Sequence, residues 1–349
     1  MSPDHVDIHR VDIHNVTRPT VRLCHDGTVT TTVLAGGVGA ARFLRGLIKA
    51  VDPTTVTAII NVGDDTVLHG LHISPDIDTV TYTLAEMIDP ERGWGLVGET
   101  WRSLESLARF AAVRPVASAA GNTWFGLGDQ DLATHMYRTA RLAEGATLTE
   151  VTGEIARAFG VPCRLIPVSN DPIRTVVHSP GLGDLAFQEY FVKHHHSVAV
   201  DSVRFDGMAH AAPAPGVLAA LANADTIVIA PSNPIVSIGP LLNVSGIIEA
   251  LTARRSSTVA ISPIVAGAAL KGPADRMLTE LGFEASVVGV ARMYAPIAST
   301  LVIDNADAAL ADAVEAEGIR CVVTNAIMST PAVSAALATE VLAAMSGRV

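Results

Sequence analysis

The sequence predicts an α/β protein built on a doubly wound, mostly parallel sheet that is interrupted by an inserted cap region. Three observations carry that expectation. A β-branched apolar run from Val29 to Leu34 stops at Gly36, Gly37 and Gly39, and a helical pattern with Phe43, Leu44, Leu47 and Ile48 follows at once. A second apolar run, Val56 to Ile60, again gives way to a polar turn and a helix. The rhythm breaks near Gly93 and resumes with another buried-type strand at Thr226 to Ala230, and such alternation is the signature of a parallel sheet covered by helices.

Taken in order, residues 1–28 are polar, His-rich and aperiodic, so a disordered extension is expected there, with metal binding by His5, His9 and His14 as the alternative. The turn Gly36-Gly37-Val38-Gly39 lets backbone N–H groups approach an anion, and the helix behind it adds its positive dipole end; a phosphate or diphosphate is the natural guest. Any tight strand-to-helix turn can also open with glycines for steric reasons alone.

The second strand ends in Asn61-Val62-Gly63-Asp64-Asp65, and the chain continues through His69-Gly70-Leu71-His72 and Ser74-Pro75-Asp76-Ile77-Asp78 into a helix carrying Val80, Leu84, Met87 and Ile88. Four carboxylates, Asp64, Asp65, Asp76 and Asp78, therefore fall in loops beyond a strand's carboxyl end, where open parallel sheets bind ligands. An oxygen-rich set of this kind suits Mg²⁺. The competing structural roles are turn formation for Asp64 and Asp65, and helix capping for Asp76 or Asp78.

Residues 93–216 form the expected cap, leaving 29–92 and 217–349 as the core. All three tryptophans, Trp94, Trp101 and Trp124, lie in the cap, as a local core or as a wall for a flat heterocycle. A helix is expected near Glu99 to Phe110, then an amphipathic one with Leu132, Met136 and Leu142. Strand-like pieces follow at Cys163 to Val168, Thr175 to His178 and Phe187 to Val192, and His194 to His196 reads as a solvated loop. In the returning core, the strand at Thr226 ends in Pro231-Ser232-Asn233-Pro234, a second candidate anion cradle ahead of a helix at Val244 to Leu251. Strands are expected at Val259 to Ile261, Ser286 to Val290, Leu301 to Ile303 and Arg320 to Val323, and a helix from Pro331 to Met345 closes the chain.

Composition narrows the function. The 349 residues carry a net charge of −11 with no basic run, which argues against nucleic acid as a partner. Cys24, Cys163 and Cys321 are too few and too scattered for a disulfide framework, so a reducing cytoplasm is expected. Every apolar run is broken by Pro, Gly or Ser well short of the ~20 residues of a membrane span, and no membrane association is expected.

The blocks AGGVGAARFLRGL, NVGDD with HGL, SPDIDT with TYTL, RGWG, WFGLGDQDLATH, FQEYFV and PSNPIVSIGPLL together resemble the 2-phospho-L-lactate transferase family (CofD) of coenzyme F-420 biosynthesis, from about Val33 to Ala268. The resemblance implies a Rossmann-like core and a Mg²⁺-dependent transferase that joins a guanylylated phospho-acid to the deazaflavin FO and releases GMP. It implies Asp64 and Asp78 as metal ligands, with Asp64, Asp65 and Asp78 catalytic. FO would meet Asp78, Asp76, His69, Trp124, Phe125 and Gly126. The nucleotide phosphates would meet Gly36, Gly37, Val38, Gly39, Arg42, Ser232, Asn233 and Pro234. One departure stands out: archaeal-type members place a Lys where this chain has Gly126. The chain resembles the bacterial branch, for which phosphoenolpyruvate stands beside phospholactate as the acid of the donor, so the resemblance implies either acid, and a homodimer is expected.

Two alternatives belong to other classes. A nicotinamide-dependent oxidoreductase would use the glycine turn, but Gly37-x-Gly39-x-x-Arg42 lacks the third glycine of the dinucleotide fingerprint. A non-catalytic nucleotide-sugar-binding regulator would share the glycine loop and sheet, but not the RGWG and WFGLGDQD blocks.

Overall fold

The computed structural model describes residues 29–346. The expectations for residues 1–28, including His5, His9, His14 and Cys24, lie outside the described residues.

Strand β1 (Thr31–Ala35) leads into α1 (Gly37–Ala50), and β2 (Val56–Ile60) follows. A hairpin of β3 (Thr66–Leu68) and β4 (Leu71–Ile73) then precedes α2 (Pro75–Leu84). The hairpin was not anticipated from sequence; its two-residue turn, His69-Gly70, has φ of 54° and 78°, the left-handed pair that tight hairpins require. Helices α3 (Arg102–Ala111), α4 (Asp129–Ala143) and α5 (Leu148–Ala158) come next, then β5 (Arg164–Pro167). Strands β6 (Arg174–Ser179), β7 (Gly183–Ala186) and β8 (Ser202–Asp206) form a separate antiparallel sheet in the order β7-β6-β8. The remaining elements are α6 (Val217–Asn223), β9 (Thr226–Ile229), α7 (Gly239–Asn243), α8 (Ile247–Ala253) and β10 (Thr258–Ile261), then β11 (Ile264–Val265), β12 (Ala268–Ala269), α9 (Ala274–Glu280) and α10 (Val287–Tyr294). Strand β13 (Thr300–Asp304), α11 (Ala311–Ala316), β14 (Arg320–Thr324) and α12 (Pro331–Ser346) complete the chain.

The main sheet has seven strands in the order β14-β13-β10-β9-β1-β2-β5, every neighbouring pair parallel. This is the doubly wound α/β architecture expected from sequence. From β1 the chain winds outward through β2 to β5, then returns to β9 on the other side of β1 and winds through β10 and β13 to β14. The strand order reverses between β1 and β9, and ligands of open α/β sheets bind at that reversal, outside the carboxyl ends of the strands. The central strands are buried on both faces, which is why they read as continuous apolar runs rather than alternating ones.

Two local expectations are corrected. Ser286 to Val290 is not a strand: Ser286 Oγ accepts from the N–H groups of Val288 and Gly289, both at 3.1 Å, and caps α10. That cap outweighs the β-branched run behind it. Phe187 to Val192 ends in a helical turn, Glu189–Lys193, around the buried Tyr190. The strand expected at Cys163 to Val168 is present as β5, an edge strand of the main sheet paired with β2.

The acid loops and the glycine turn

The carboxyl ends of β1, β2 and β9 converge on one crevice. Ser232 Oγ donates to the Gly36 carbonyl at 2.6 Å and ties the β9 turn to the β1 turn. A Cβ on Gly39 would overlap the Pro231 carbonyl oxygen, so that glycine is required by close backbone packing. Asn233 is spent locally: its Oδ1 accepts from the N–H groups of Ile235 and Val236 at 2.9 and 3.4 Å, and it caps the turn that begins at Pro234.

The glycine turn faces an acid. Helix α1 has no side-chain cap and no acidic residue in its first turn, which leaves its N–H groups available. Asp76 fills that role: it accepts a hydrogen bond from the Gly37 backbone, and a Cβ on Gly36 would sit 3.0 Å from Asp76 Oδ2. Val38 and Arg42 are half-buried on the first turns of α1. Asn61, fully buried at the end of β2, donates its Nδ2 to Asp76 Oδ2 at 2.9 Å.

Asp64, Asp76 and Asp78 are all buried, and Asp65 is half-buried. Burial raises the Asp64 carboxyl well above the usual carboxylate range, and the neighbouring Asp76 and Asp65 raise it further. Burial pushes Asp65 up to about 7 against the opposing hydrogen bond from Ser74 Oγ at 2.8 Å, and pushes Asp76 up to about 6. Asp64 Oδ1 and Asp65 Oδ1 are buried without a hydrogen-bond partner among the described residues. Buried polar atoms are rarely left so, and hard, unshared carboxylate oxygens suit a hard cation. A cavity of about 90 Å³ opens beside them, lined also by Arg174 and Gln188.

Asp78 has a different environment. Arg138 of α4, itself fully buried, bonds both of its carboxylate oxygens, one of them at 3.1 Å. Helix α4 inverts the expected amphipathic pattern: Asp131, Thr134, His135 and Arg138 face inward, whereas Met136 is 61% exposed. Tyr82 Oη donates to Asp131 Oδ1 at 2.7 Å. Burial raises the Asp131 carboxyl, but His135, Tyr82 and Arg138 together hold it below its ordinary value. Asp78, Asp131 and His135 offer ligand atoms all within 4.8 Å of one another, a group that could hold a metal ion. These α4 residues were not anticipated as site residues, although the spacing of Asp131, His135 and Arg138 places them on one helix face.

The remaining candidates sit further out. His69 is exposed at the hairpin tip. Trp124 and Phe125 meet edge to face at 5.8 Å, and Trp94 meets Trp101 likewise at 5.9 Å. The Arg92 guanidinium lies 5.5 and 5.2 Å from the Trp94 and Trp101 ring centres, a cation–π arrangement. A Cβ on Gly126 would stand 2.8 Å from Trp94 Cη2. Trp94 is 43% exposed, and Trp101, Trp124 and Phe125 are half-buried.

Fold and site together define an α/β protein with an acid-lined crevice at the reversal point of its sheet. The chain belongs to the CofD family, whose model, described as 2-phospho-L-lactate transferase, matches residues 31–338. It is 42% identical over 315 residues to a phosphoenolpyruvate transferase of Kitasatospora aureofaciens, covering 89% of this chain and 96% of the relative. A phosphoenolpyruvate transferase of Mycolicibacterium smegmatis is 38% identical over 320 residues, covering 88% and 95%. A UPF0052-family protein of Bacillus halodurans shares the fold, with a TM-score of 0.55 at 17% identity over 90% of this chain and 99% of that one. Among the described residues no single helix is long and apolar enough to cross a membrane.

Proposed function

We propose that this transferase moves a phosphoenolpyruvyl group, or a phospholactyl group, from a guanosine diphospho-donor to the terminal ribityl hydroxyl of FO. The hydroxyl oxygen forms a bond to the distal phosphorus, the bond from that phosphorus to the bridging oxygen breaks, and GMP leaves with the electron pair. The hydroxyl proton passes to a carboxylate or to solvent. The observation that carries this assignment is the pair of buried, unpartnered oxygens on Asp64 and Asp65 in the loop beyond the carboxyl end of β2, in a chain of this family.

Asp64 and Asp65 fit Mg²⁺, which prefers one or two carboxylates with substrate phosphates and water completing its shell. Bound there, Mg²⁺ would neutralise the donor diphosphate, and phosphoryl transfer depends on that neutralisation and on in-line placement more than on covalent help from the protein. Asp78, also expected as a ligand, is paired with Arg138, and in this reading it receives the FO hydroxyl rather than the ion. The turn at Gly36 to Gly39, Arg42 and Ser232 border the donor side, and Trp124, Phe125 and Gly126 border the FO side. Phosphoenolpyruvate is favoured as the acid because the two relatives described above carry that name. The homodimer is proposed on the family resemblance, and the cytoplasmic location on the few, scattered cysteines.

Incubating the protein with FO, Mg²⁺ and guanylylated phosphoenolpyruvate, phospholactate or phosphoglycerate in parallel, with products identified by mass, tests the assignment. A deazaflavin phosphodiester and GMP are expected, and their absence with all three donors would overturn it. Light scattering on the purified chain tests the dimer.

A further inference from the structure

The buried group Asp78, Asp131 and His135 meets the distance requirement for a metal ion, yet it already contains a cation. Arg138 is buried in its midst, bonds both oxygens of Asp78, donates to the His72 carbonyl at 3.4 Å and lies 3.1 Å from His135 Nδ1. We infer that Arg138, and not a metal ion, is the resident cation of this group, and that it serves as the positioning residue for Asp78.

A guanidinium has donors only, so His135 Nδ1 must be the acceptor in their contact. The imidazole is then the tautomer with its proton on Nε2, and that nitrogen faces Asp131 Oδ1 at 3.4 Å. That nitrogen makes no hydrogen bond among the described residues, but in this tautomer it carries the proton while Nδ1 is taken up by Arg138, so neither presents a lone pair to an ion. Asp131 Oδ1 also receives the Tyr82 hydroxyl, and Asp78 has both oxygens on Arg138. A divalent ion entering this group would have to displace the guanidinium or sit against it, with like charges in contact inside a buried site. Arg138 is fixed in turn from two sides, by Asp78 and by the His72 carbonyl at the end of the β3–β4 hairpin, so its planar fork holds the Asp78 carboxylate in one orientation. The inference rests on the proposed metal site at Asp64 and Asp65, because it leaves that pair as the place where the ion is held.

The test uses the full-length metal-free protein and Mn²⁺ as the probe, followed by calorimetry, together with ¹⁵N NMR of the His135 ring. Asp64→Asn should weaken Mn²⁺ binding by more than ~10-fold, whereas His135→Gln and Asp131→Asn should leave the number of bound ions unchanged. The His135 ring should report the Nε2–H tautomer with and without Mn²⁺. An ion that disappears in His135→Gln, or a ring whose tautomer changes on Mn²⁺ addition, would overturn the inference. If no binding depends on Asp64, the proposed metal site fails, and the tautomer still decides the role of Arg138. For positioning, Arg138→Met should lower kcat about 100-fold with the KM for donor little changed, and Arg138→Lys should recover part of that loss. In the Asp78→Asn background, Arg138→Lys should have no further effect on kcat; an undiminished effect there would count against positioning.

Discussion

Asn61 joins the acid loops to the glycine turn through one side chain: its Nδ2 donates to Asp76 Oδ2 at 2.9 Å and its Oδ1 accepts from the Gly63 N–H at 2.8 Å. Asp76 in turn accepts from the Gly37 backbone, so a single amide at the end of β2 sets the distance between α2 and the start of α1. Asn61→Ala leaves a buried carboxylate oxygen and a buried N–H without partners, and each such loss costs about 1–3 kcal/mol. Chemical denaturation should show the variant destabilised by ~2–4 kcal/mol, and transferase activity should fall at least ~10-fold as the two turns lose their register.

Two glycines separate packing from propensity. At Gly39 an added Cβ would overlap the Pro231 carbonyl, which is backbone and cannot rotate away. Gly39→Ala should therefore destabilise the protein by ~3 kcal/mol or more and disable the crevice. Gly153 lies within α5, and a Cβ there would meet only the Arg157 side chain at 3.4 Å. Gly153→Ala should raise the melting temperature, with a gain of up to ~1 kcal/mol from helix propensity. Thermal unfolding of the two variants side by side checks both directions.

The raised acids make metal-free stability depend on pH. Asp65 titrates at about 7 in the folded chain, because of burial, against about 3.8 when unfolded. Above the unfolded value the unfolded chain gives up this proton while the folded chain keeps it, so stability falls as pH climbs from about 4 and levels off above about 7. The gap corresponds to at most about 4 kcal/mol. Asp65→Asn removes this contribution. The variant should match the wild type near pH 4 and exceed its stability at pH 8 in the absence of divalent ions, as read by urea denaturation at the two pH values. Added Mg²⁺ should narrow the gap at pH 8 by stabilising the wild type.

What could be read from the chain, and what could not, follows the range of the forces involved. The central strands β1, β2, β9, β10 and β13 were recoverable because burial on both faces leaves long apolar runs. The acid loops were recoverable because Asp64, Asp65, Asp76 and Asp78 are close in sequence. Arg138 escaped notice because its partner, Asp78, is 60 residues away, and a buried arginine looks like any solvated one until the contact is known. Helix α4 misled for a related reason: its apolar residues suggested the inward face, but the polar residues are the buried ones, with Asp131 bonded to Tyr82 of α2 and Arg138 to Asp78 of α2 and the His72 carbonyl of β4. At Ser286 the sequence was locally ambiguous, and a capping hydroxyl decided the outcome.

The aromatic wall offers a prediction that separates the two substrates. Gly126 lies against Trp94, and a Cβ there would come within 2.8 Å of that ring, which is itself held edge to face against Trp101 with Arg92 over both. Gly126→Ala must push the Trp94 ring outward, and Trp94, being 43% exposed, has room to move without disturbing the core. The cost should fall on whatever stacks against the wall. If FO binds there, the variant's KM for FO should rise about 10-fold, in line with the ~1–3 kcal/mol scale of aromatic stacking on flat ring systems, while the KM for the guanosine diphospho-donor and the melting temperature stay close to wild type. Steady-state kinetics with each substrate varied in turn checks the split. A rise confined to the donor would instead place the nucleotide base on the Trp94 side of the crevice and FO on the side of Gly36 to Gly39.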